Sequence, residues 1–329
     1  MHSILNESPL LTRGLVQRTP AKVRLRGVNG ILIIDKPAGI TSHDVVYNVR
    51  RALKTKRVGH TGTLDPFATG VMVILVGQST RLAQFLDKDV KEYEAVVRFG
   101  FETDTGDRTG SPKSEAQGPP WVNIDDVERV LENFRGEIEQ VPPMYSAKKI
   151  DGKKLYELAR KGETVERKAV KVRIEKLELL SEPPASAGGT MADFDKATIK
   201  VACSAGTYIR TLAEDIGRKL GTGAHLTELR RTAAGRFTIV EAMTLDELAG
   251  MEEPASRLIP MEEAVAHLAK IELNEDRAKK TKNGLSTRVF DVEFIDGEVV
   301  QMLDEEKKLI AIGHFDAAEN VVQPKVVLV

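Results

Sequence analysis

The chain has 329 residues, enough for one large domain or two, with 41% hydrophobic residues, 29% charged residues and a formal net charge of −1. That balance suits a soluble globular protein and excludes a uniformly basic nucleic-acid binder. The single cysteine, Cys203, excludes a disulfide framework and points to a reducing cytosol. No apolar run is long enough for a membrane span, and the N-terminus lacks the apolar core of a signal peptide.

Residues 1–27 are polar, basic and aperiodic and read as a tail. "GILIIDKP" is an apolar run stopped by Lys-Pro, hence a buried strand. In "TSHDVVYNVRRALK", Ser42 is a candidate N-cap, and Val46, Val49 and Leu53 share one helical face. "VMVILVG" predicts a second buried strand, "STRLAQFL" a helix and "EYEAVVRFG" a strand. "SPKSEAQGPP" reads as a loop. "NIDDVERVLENFRG" predicts a capped helix with Ile124, Val127, Leu131 and Phe134 inward and Gly136 at its end. "VRIEKLELL" and "ATIKVACS" predict strands separated by a Pro/Gly/Ala-rich loop over 181–195. "YIRTLAEDIGRKLG" predicts a helix with Ile209, Leu212, Ile216 and Leu220 on one face and Gly221 as its stop. From about 268 the pattern changes to a short helix, "NEDRAKKTKNG", and short strands with tight turns, as in a small β-barrel. The expected fold class is α+β, with a mixed-sheet domain over 28–267 and a small β domain over 268–329.

Charge is segregated along the chain. Arg50, Arg51, Lys54, Lys56 and Arg57 cluster, and 148–176 holds eleven cations, among them Lys148, Lys149, Lys153 and Lys154, against five acids. Such segregation builds either a basic face on a neutral protein or ordinary solvated surface.

The segment "GHTGTLDPFATG", residues 59–70, carries one carboxylate, Asp65, among three glycines, three threonines and a proline. Pro66 disfavours helix at Asp65, so the chain bends around the carboxylate. Asp65 is therefore either a turn aspartate or a catalytic one, acting at a sugar carbon or removing a proton beside it. Burial in a dry pocket would raise its pKa, and an arginine would counter that. Arg210, two residues after Tyr208 where a Gly-Thr turn meets a helix, is a candidate; the alternative is a surface helix residue. Tyr93 either packs in its strand or stacks on a base and relays a proton. His60 shares the loop with Asp65 and otherwise bonds to backbone. The six histidines lack zinc-ligand spacing, and "TDTGDRTG" lacks the spaced ligands of a calcium loop and reads as a turn. No Walker A or GxGxxG pattern supports a nucleotide cofactor.

These motifs, in this order, resemble the bacterial TruB type of tRNA pseudouridine synthase, in the wider group that includes dyskerin. The resemblance runs through "GILIIDKPAGITSHDVV", "GHTGTLDPFATGVMVILVGQSTRLAQFL", "KEYEAVVRFGFETDTGDRTG", "VPPMYSAKKIDGKKLYELARKGE", "CSAGTYIRTLAEDIG" and "GAHLTELRRTAAGRF". It implies that Asp65 is the essential aspartate, Arg210 the arginine paired with it and Tyr93 the active-site tyrosine. His60 would fill space vacated by the extruded base, Leu229 would pack near the pocket, and Lys36 and Pro37 would support the loop. It also implies a catalytic domain ending near 267 and a PUA-like RNA-binding domain at 268–329. The implied activity is isomerisation of the T-loop uridine at tRNA position 55, with no cofactor and no metal. The expected partner is the tRNA T-arm, met in the cytoplasm by a monomer without guide RNA or membrane. The Lys148–Lys154 cluster is the candidate for backbone contact. The rival readings are a non-catalytic RNA-binding protein or RNA chaperone on the same fold and a guide-RNA-dependent synthase of the dyskerin type.

Overall fold

The computed structural model describes residues 27–328, apart from 88, 114–120, 147, 151, 160, 164, 182–192 and 291. Residues 1–26 of the expected tail and most of the 181–195 loop lie outside the described residues, as does much of "SPKSEAQGPP".

In chain order, β1 (Gly30–Lys36) leads into α1 (Ser42–Ala52), β2 (Val58–Thr61), the Asp65 loop and β3 (Thr69–Val76). A 3-10 turn (Gly77–Leu82) and a single α-turn (Ala83–Leu86) stand where "STRLAQFL" predicts one helix. Then come β4 (Lys91–Phe99), α2 (Ile124–Glu132), β5 (Gly136–Gln140), β6 (Val170–Ser181) and β7 (Lys196–Cys203). They are followed by α3 (Ile209–Leu220), β8 (Ala224–Ala234) and β9 (Phe237–Thr238). Among the described residues these strands form one mixed sheet in the order β1-β3-β8-β4-β7-β6-β5, with β2 on β3 and β9 on β8.

One feature of this sheet positions the site. β3 pairs with β2 over Val73–Val76 but with β8 at its first two residues, Thr69–Arg230 and Gly70–Arg231, in the one parallel pairing between named strands of this sheet among the described residues. The Asp65 loop leaves β2 and returns to β3 at that fork. Gly70 makes the contact possible: its φ is +104°, and a Cβ there would stand 2.2 Å from the Arg231 carbonyl oxygen.

The continuous apolar runs of β1 and β3 are explained by burial on both faces. Leu32, Ile34, Met72 and Ile74 join the main core with α1 and α3. Ile31, Ile33, Val71 and Val73 face the other way, into a second apolar layer with Leu303, Leu309, Ile312 and Val326 of the C-terminal segment. β4 alternates instead, sending Tyr93, Ala95, Val97 and Phe99 into the main core.

The C-terminal segment comprises β10 (Ala269–Glu272), α4 (Glu275–Lys282), β11 (Thr287–Arg288), β12 (Val299–Leu303), β13 (Leu309–Asp316) and β14 (Val321–Val327). Its separate sheet runs β10-β12-β13-β14-β11 and closes over its own core of Val300, Met302, Ile310 and Phe315. The architecture is thus α+β, with one large mixed sheet and a small C-terminal β unit that fits a PUA-like domain.

Local signals mostly act as their chemistry dictates. Gly221, in the left-handed region at φ +76°, stops α3. Asn123 caps α2 by accepting from the Asp125 N–H at 2.8 Å. At α1 the expectation is off by one: Thr41, not Ser42, is the N-cap, and it forms a reciprocal capping box with Asp44. Ser42 is thereby free to turn inward. Among the described residues, no helix is long and apolar enough to cross a membrane.

Candidate active site

The Asp65 loop is held from three sides. Ser42 Oγ donates to the Leu64 carbonyl at 3.0 Å and accepts from the Leu64 N–H at 2.9 Å. The fully buried Lys36 donates from Nζ to the carbonyls of Pro37 and Ile40 at 2.8 Å and of Pro66 at 3.2 Å. The Pro66 carbonyl also accepts from the Gly39 N–H at 2.8 Å, and the Ala68 N–H closes a turn onto the Asp65 carbonyl at 3.1 Å. The third hold is Arg231, buried at 1% exposure, which donates from Nε to the Val71 carbonyl at 2.7 Å and from NH2 to the Gly62 carbonyl at 3.0 Å. Leu64, Phe67 and Ala68 also bury in the main core, so the loop is held by packing as well as by hydrogen bonds.

Asp65 meets Arg210 side-on: Nε lies 2.8 Å from Oδ2 and NH2 lies 3.2 Å from Oδ1. Arg210 is buried rather than on a helix surface, at 5% exposure. It stands in the first turn of α3, where the helix dipole disfavours a cation, so acceptors must hold it. They are the carbonyls of Thr105 and Tyr145, each at 2.7 Å, and Asp65 itself. Asp107 Oδ2 lies 3.9 Å from Arg210 NH1. Asp107 is buried, and its other oxygen accepts from Thr105 Oγ1 at 3.0 Å and from the Thr109 N–H at 2.8 Å and hydroxyl at 2.5 Å. Glu102 ties the same turn to α3 through a two-point contact with Arg218, at 2.6 and 2.9 Å.

These groups wall a cavity of about 230 Å³ lined by Asp65, Tyr93, Tyr208, Arg210, Leu229 and Arg231, with Gly62–Leu64, Ser146, Lys91 and the 204–207 turn. The Asp65 side chain is 32% exposed, and that exposure faces the cavity. Burial pushes its carboxyl above the usual range; Arg210 pulls it down, Asp107 pushes it up again and Lys36 pulls it down. Tyr93 is buried and its phenol is pushed up by burial, while the Arg231 charge and hydrogen bond act the other way. Tyr208 is fixed through its backbone, whose N–H donates to Gln140 Oε1 at 3.0 Å and whose carbonyl accepts from Gln140 Nε2 at 3.3 Å. Ser146 Oγ is buried in the cavity wall without a partner.

The fold therefore brings Asp65, Tyr93, Arg210, Tyr208 and Leu229 around one space. Lys36 and Pro37 lie behind the loop: Lys36 hydrogen-bonds to it through the Pro66 carbonyl and to the chain before α1 through the Pro37 and Ile40 carbonyls, and Pro37 is exposed. Burial lowers the Lys36 pKa to about 8, with the Asp65 charge opposing the fall and the Arg231 charge adding to it. His60 sits on β2, outside the cavity lining, with Nδ1 buried and unpartnered and its pKa lowered by burial. Lys148 is half-buried and Lys153 exposed, on a segment that starts beside Ser146; the side chains of Lys149 and Lys154 lie outside the described residues. Two residues went unrecognised in the sequence. Asp107 sits in a turn that looks like any polar turn, and Arg231 follows Arg230 in a strand whose register decides which of the two points inward.

Residues 50–209 match the model of the TruB family pseudouridylate synthase N-terminal domain, and 210–266 match that of the tRNA pseudouridylate synthase B C-terminal domain. The tRNA pseudouridine synthase B of Aromatoleum aromaticum is 48% identical over 77% of this chain and 79% of its own length. That of Bacillus subtilis is 42% identical over 87% and 92%. The chain belongs to the TruB family. Asp65 and Tyr93 fall in the first TruB segment, and Arg210 and Leu229 in the second, so the cavity is built across the junction of the two matched regions. Among solved structures, the Cbf5 chain of a Cbf5-Nop10-Gar1 complex aligns with a TM-score of 0.69 at 27% identity, over 91% of this chain and 85% of that one.

Proposed function

We propose that the protein is a tRNA pseudouridine synthase that isomerises a T-loop uridine, at position 55, after the nucleotide has left its stack. The observation that carries this reading is the two-point Asp65–Arg210 contact at the wall of a cavity that also presents Tyr93 and Leu229. Asp65 must be ionised to attack C1′ or to take a proton from C2′. Burial opposes ionisation, and Arg210 counters burial where the carboxylate lines the cavity. Tyr93 offers a flat ring to the base, and its hydroxyl is the group nearest in chemistry to the C5 proton that must be removed. Extruding the base costs roughly a few kcal/mol, offset by contacts of the surrounding loop with the protein. The segment from Lys148 to Lys154 supplies phosphate contacts.

The likeness to Cbf5 favours a second reading, in which a further RNA or protein selects the target. One assay separates the two and tests the first. Purified protein and unmodified tRNA transcript alone should yield pseudouridine at the T-loop, and Asp65→Asn should lower single-turnover conversion by about a thousandfold or more with binding intact. Conversion by the Asn variant near the parent rate would remove Asp65 from the chemistry. Binding without conversion by the parent would favour the assisted reading.

A further inference from the structure

Arg231 has partners in the cavity wall but none of opposite charge. Its Nε and NH2 are taken by the Val71 and Gly62 carbonyls, and it donates to the Tyr93 hydroxyl. Among the described residues, no carboxylate lies within 4.0 Å of its guanidinium, whereas Arg210 has Asp65 and Asp107. The groups that feel its charge include Lys36 and Lys91, which add positive character rather than cancel it, and His60, whose pKa burial and the Arg231 charge both lower. The carboxylates on the cavity wall are Asp65, already paired, and Asp87, which is exposed. A buried cation left without an anion is costly unless something anionic arrives. Its carbonyl partners fix the guanidinium in place before that arrival, so no reorganisation is needed when charge develops.

Resting on the functional reading above, we propose that Arg231 is a catalytic residue that stabilises the negative charge of the detached uracil. When the N1–C1′ bond breaks, its electron pair stays on the base and spreads over N1 and the carbonyl oxygens. Asp65 compensates at the sugar, by bonding C1′ or by taking the C2′ proton. C5 then bonds to C1′, either as the Asp65–C1′ bond breaks and frees the carboxylate or, in the C2′ route, as Asp65 returns the proton it took to C2′; the C5 proton leaves to a base, and N1 takes up a proton. The sum is an isomerisation with no outside reagent. The anion exists only between the two bond changes, and during that interval Arg231 has its missing partner.

The test compares parent protein, Arg231→Gln and Arg231→Lys in single-turnover conversion at saturating enzyme, with tRNA affinity, its salt dependence and thermal melting measured beside it. Arg231→Gln should slow the chemical step by about a hundredfold, the cost of losing one preorganised stabilising donor, with affinity and salt slope near the parent's. Arg231→Lys, which keeps the charge, should recover much of the loss. A second transcript carries 5-fluorouridine at the target, read as loss of that nucleoside. Fluorine stabilises the detached base anion, so the Gln deficit should shrink there. Equal deficits on both bases, or Lys as slow as Gln, overturn the proposal. An effect confined to affinity and salt slope also overturns it and makes Arg231 a phosphate contact. If melting shows Arg231→Gln to be unfolded, Arg231→Lys carries the comparison, and a Lys deficit of the same size on both bases is the overturning result. A parent protein inactive on both transcripts sinks the functional reading with this one; failure of the Arg231 comparisons alone leaves that reading standing.

Discussion

Arg210 and Arg231 wall the same cavity and are almost equally removed from water, at 5% and 1% exposure, yet their surroundings are opposite in kind. Arg210 is met by carboxylates, Asp65 at 2.8 Å and Asp107 at 3.9 Å. Arg231 is met by carbonyls and a phenol. A buried cation with buried anions adjusts the ionisation of those anions. One held only by dipoles is a fixed charge still available to whatever enters. The Arg210 side of the cavity is therefore a device for keeping one protein group in the right state, and the Arg231 side is a device for receiving charge from the substrate.

Removing Arg210 should break the contrast most severely. In Arg210→Met, Asp65 keeps its burial and its Asp107 neighbour but loses the group that pulls its pKa down, so it is protonated over a wider range of pH. Single-turnover conversion at neutral pH should fall by about a hundredfold to a thousandfold. It should partly recover as pH rises, because the missing ionisation returns. A deficit independent of pH would mean that Arg210 acts on geometry alone.

Lys36 comes next, and its pKa of about 8 sets a window. Above that value the ammonium becomes an amine and loses one of three donors, the 3.2 Å contact to Pro66 being the longest and first to go. Activity should decline as pH rises through about 8. The stability sign runs the other way. The folded pKa lies below the unfolded one of 10.5, so the unfolded chain binds more protons between the two, and the Lys36 contribution to stability grows across that window. Thermal melting and single-turnover rate followed from pH 7 to 10 should therefore diverge. A parallel decline would assign the alkaline limb to unfolding.

A smaller effect distinguishes Asp107 from Asp65. Asp107→Asn removes a charge that pushes the Asp65 pKa up, so the acid limb of the rate should move to lower pH. The sign is opposite to that of Arg210→Met, and a shift to higher pH would show that Asp107 acts mainly by aiming Arg210.

The two sides of the cavity also differ in how far the sequence discloses them. Asp65 announces itself, because Gly, Thr and Pro around one carboxylate specify a bent loop whatever the fold. Arg210 was legible because helix periodicity placed it at a helix start beside a Gly-Thr turn. Arg231 was not. Arg230 and Arg231 are adjacent in a strand, and a shift of one residue exchanges their faces. Arg230 turns outward to Asp35 at 2.8 Å, and Arg231 turns in. That choice is made by the pairing of β8 with β3 and by Gly70, far away in sequence. Carbonyl partners leave no mark in a sequence, since every residue carries one. The same limit applies to β1 and β3. Their apolar runs predicted burial, but not that one face would be covered by Leu303, Leu309 and Val326 of the C-terminal unit.

The smallest expected effect lies outside the cavity, and it sharpens the contrast by testing a cation that should matter only for affinity. The strands Lys149–Ile150 and Lys153–Lys154 pair as a short hairpin that begins next to Ser146, a cavity-lining residue, so the hairpin stands beside the mouth. Lys153 is exposed and Lys148 half-buried. Among the described residues neither has a salt-bridge partner. An exposed lysine held by nothing is poised for a phosphate and contributes through counterion release rather than through geometry. Replacing Lys148 and Lys153 together with Gln should weaken tRNA binding a few-fold, by roughly 1 kcal/mol, and make the slope of log K against log salt shallower by about 1 to 2. The single-turnover rate at saturating enzyme should stay at the parent value, because neither side chain reaches the cavity. A loss of rate at saturation would place the hairpin in the chemistry, and an unchanged affinity with an unchanged salt slope would make it plain solvated surface.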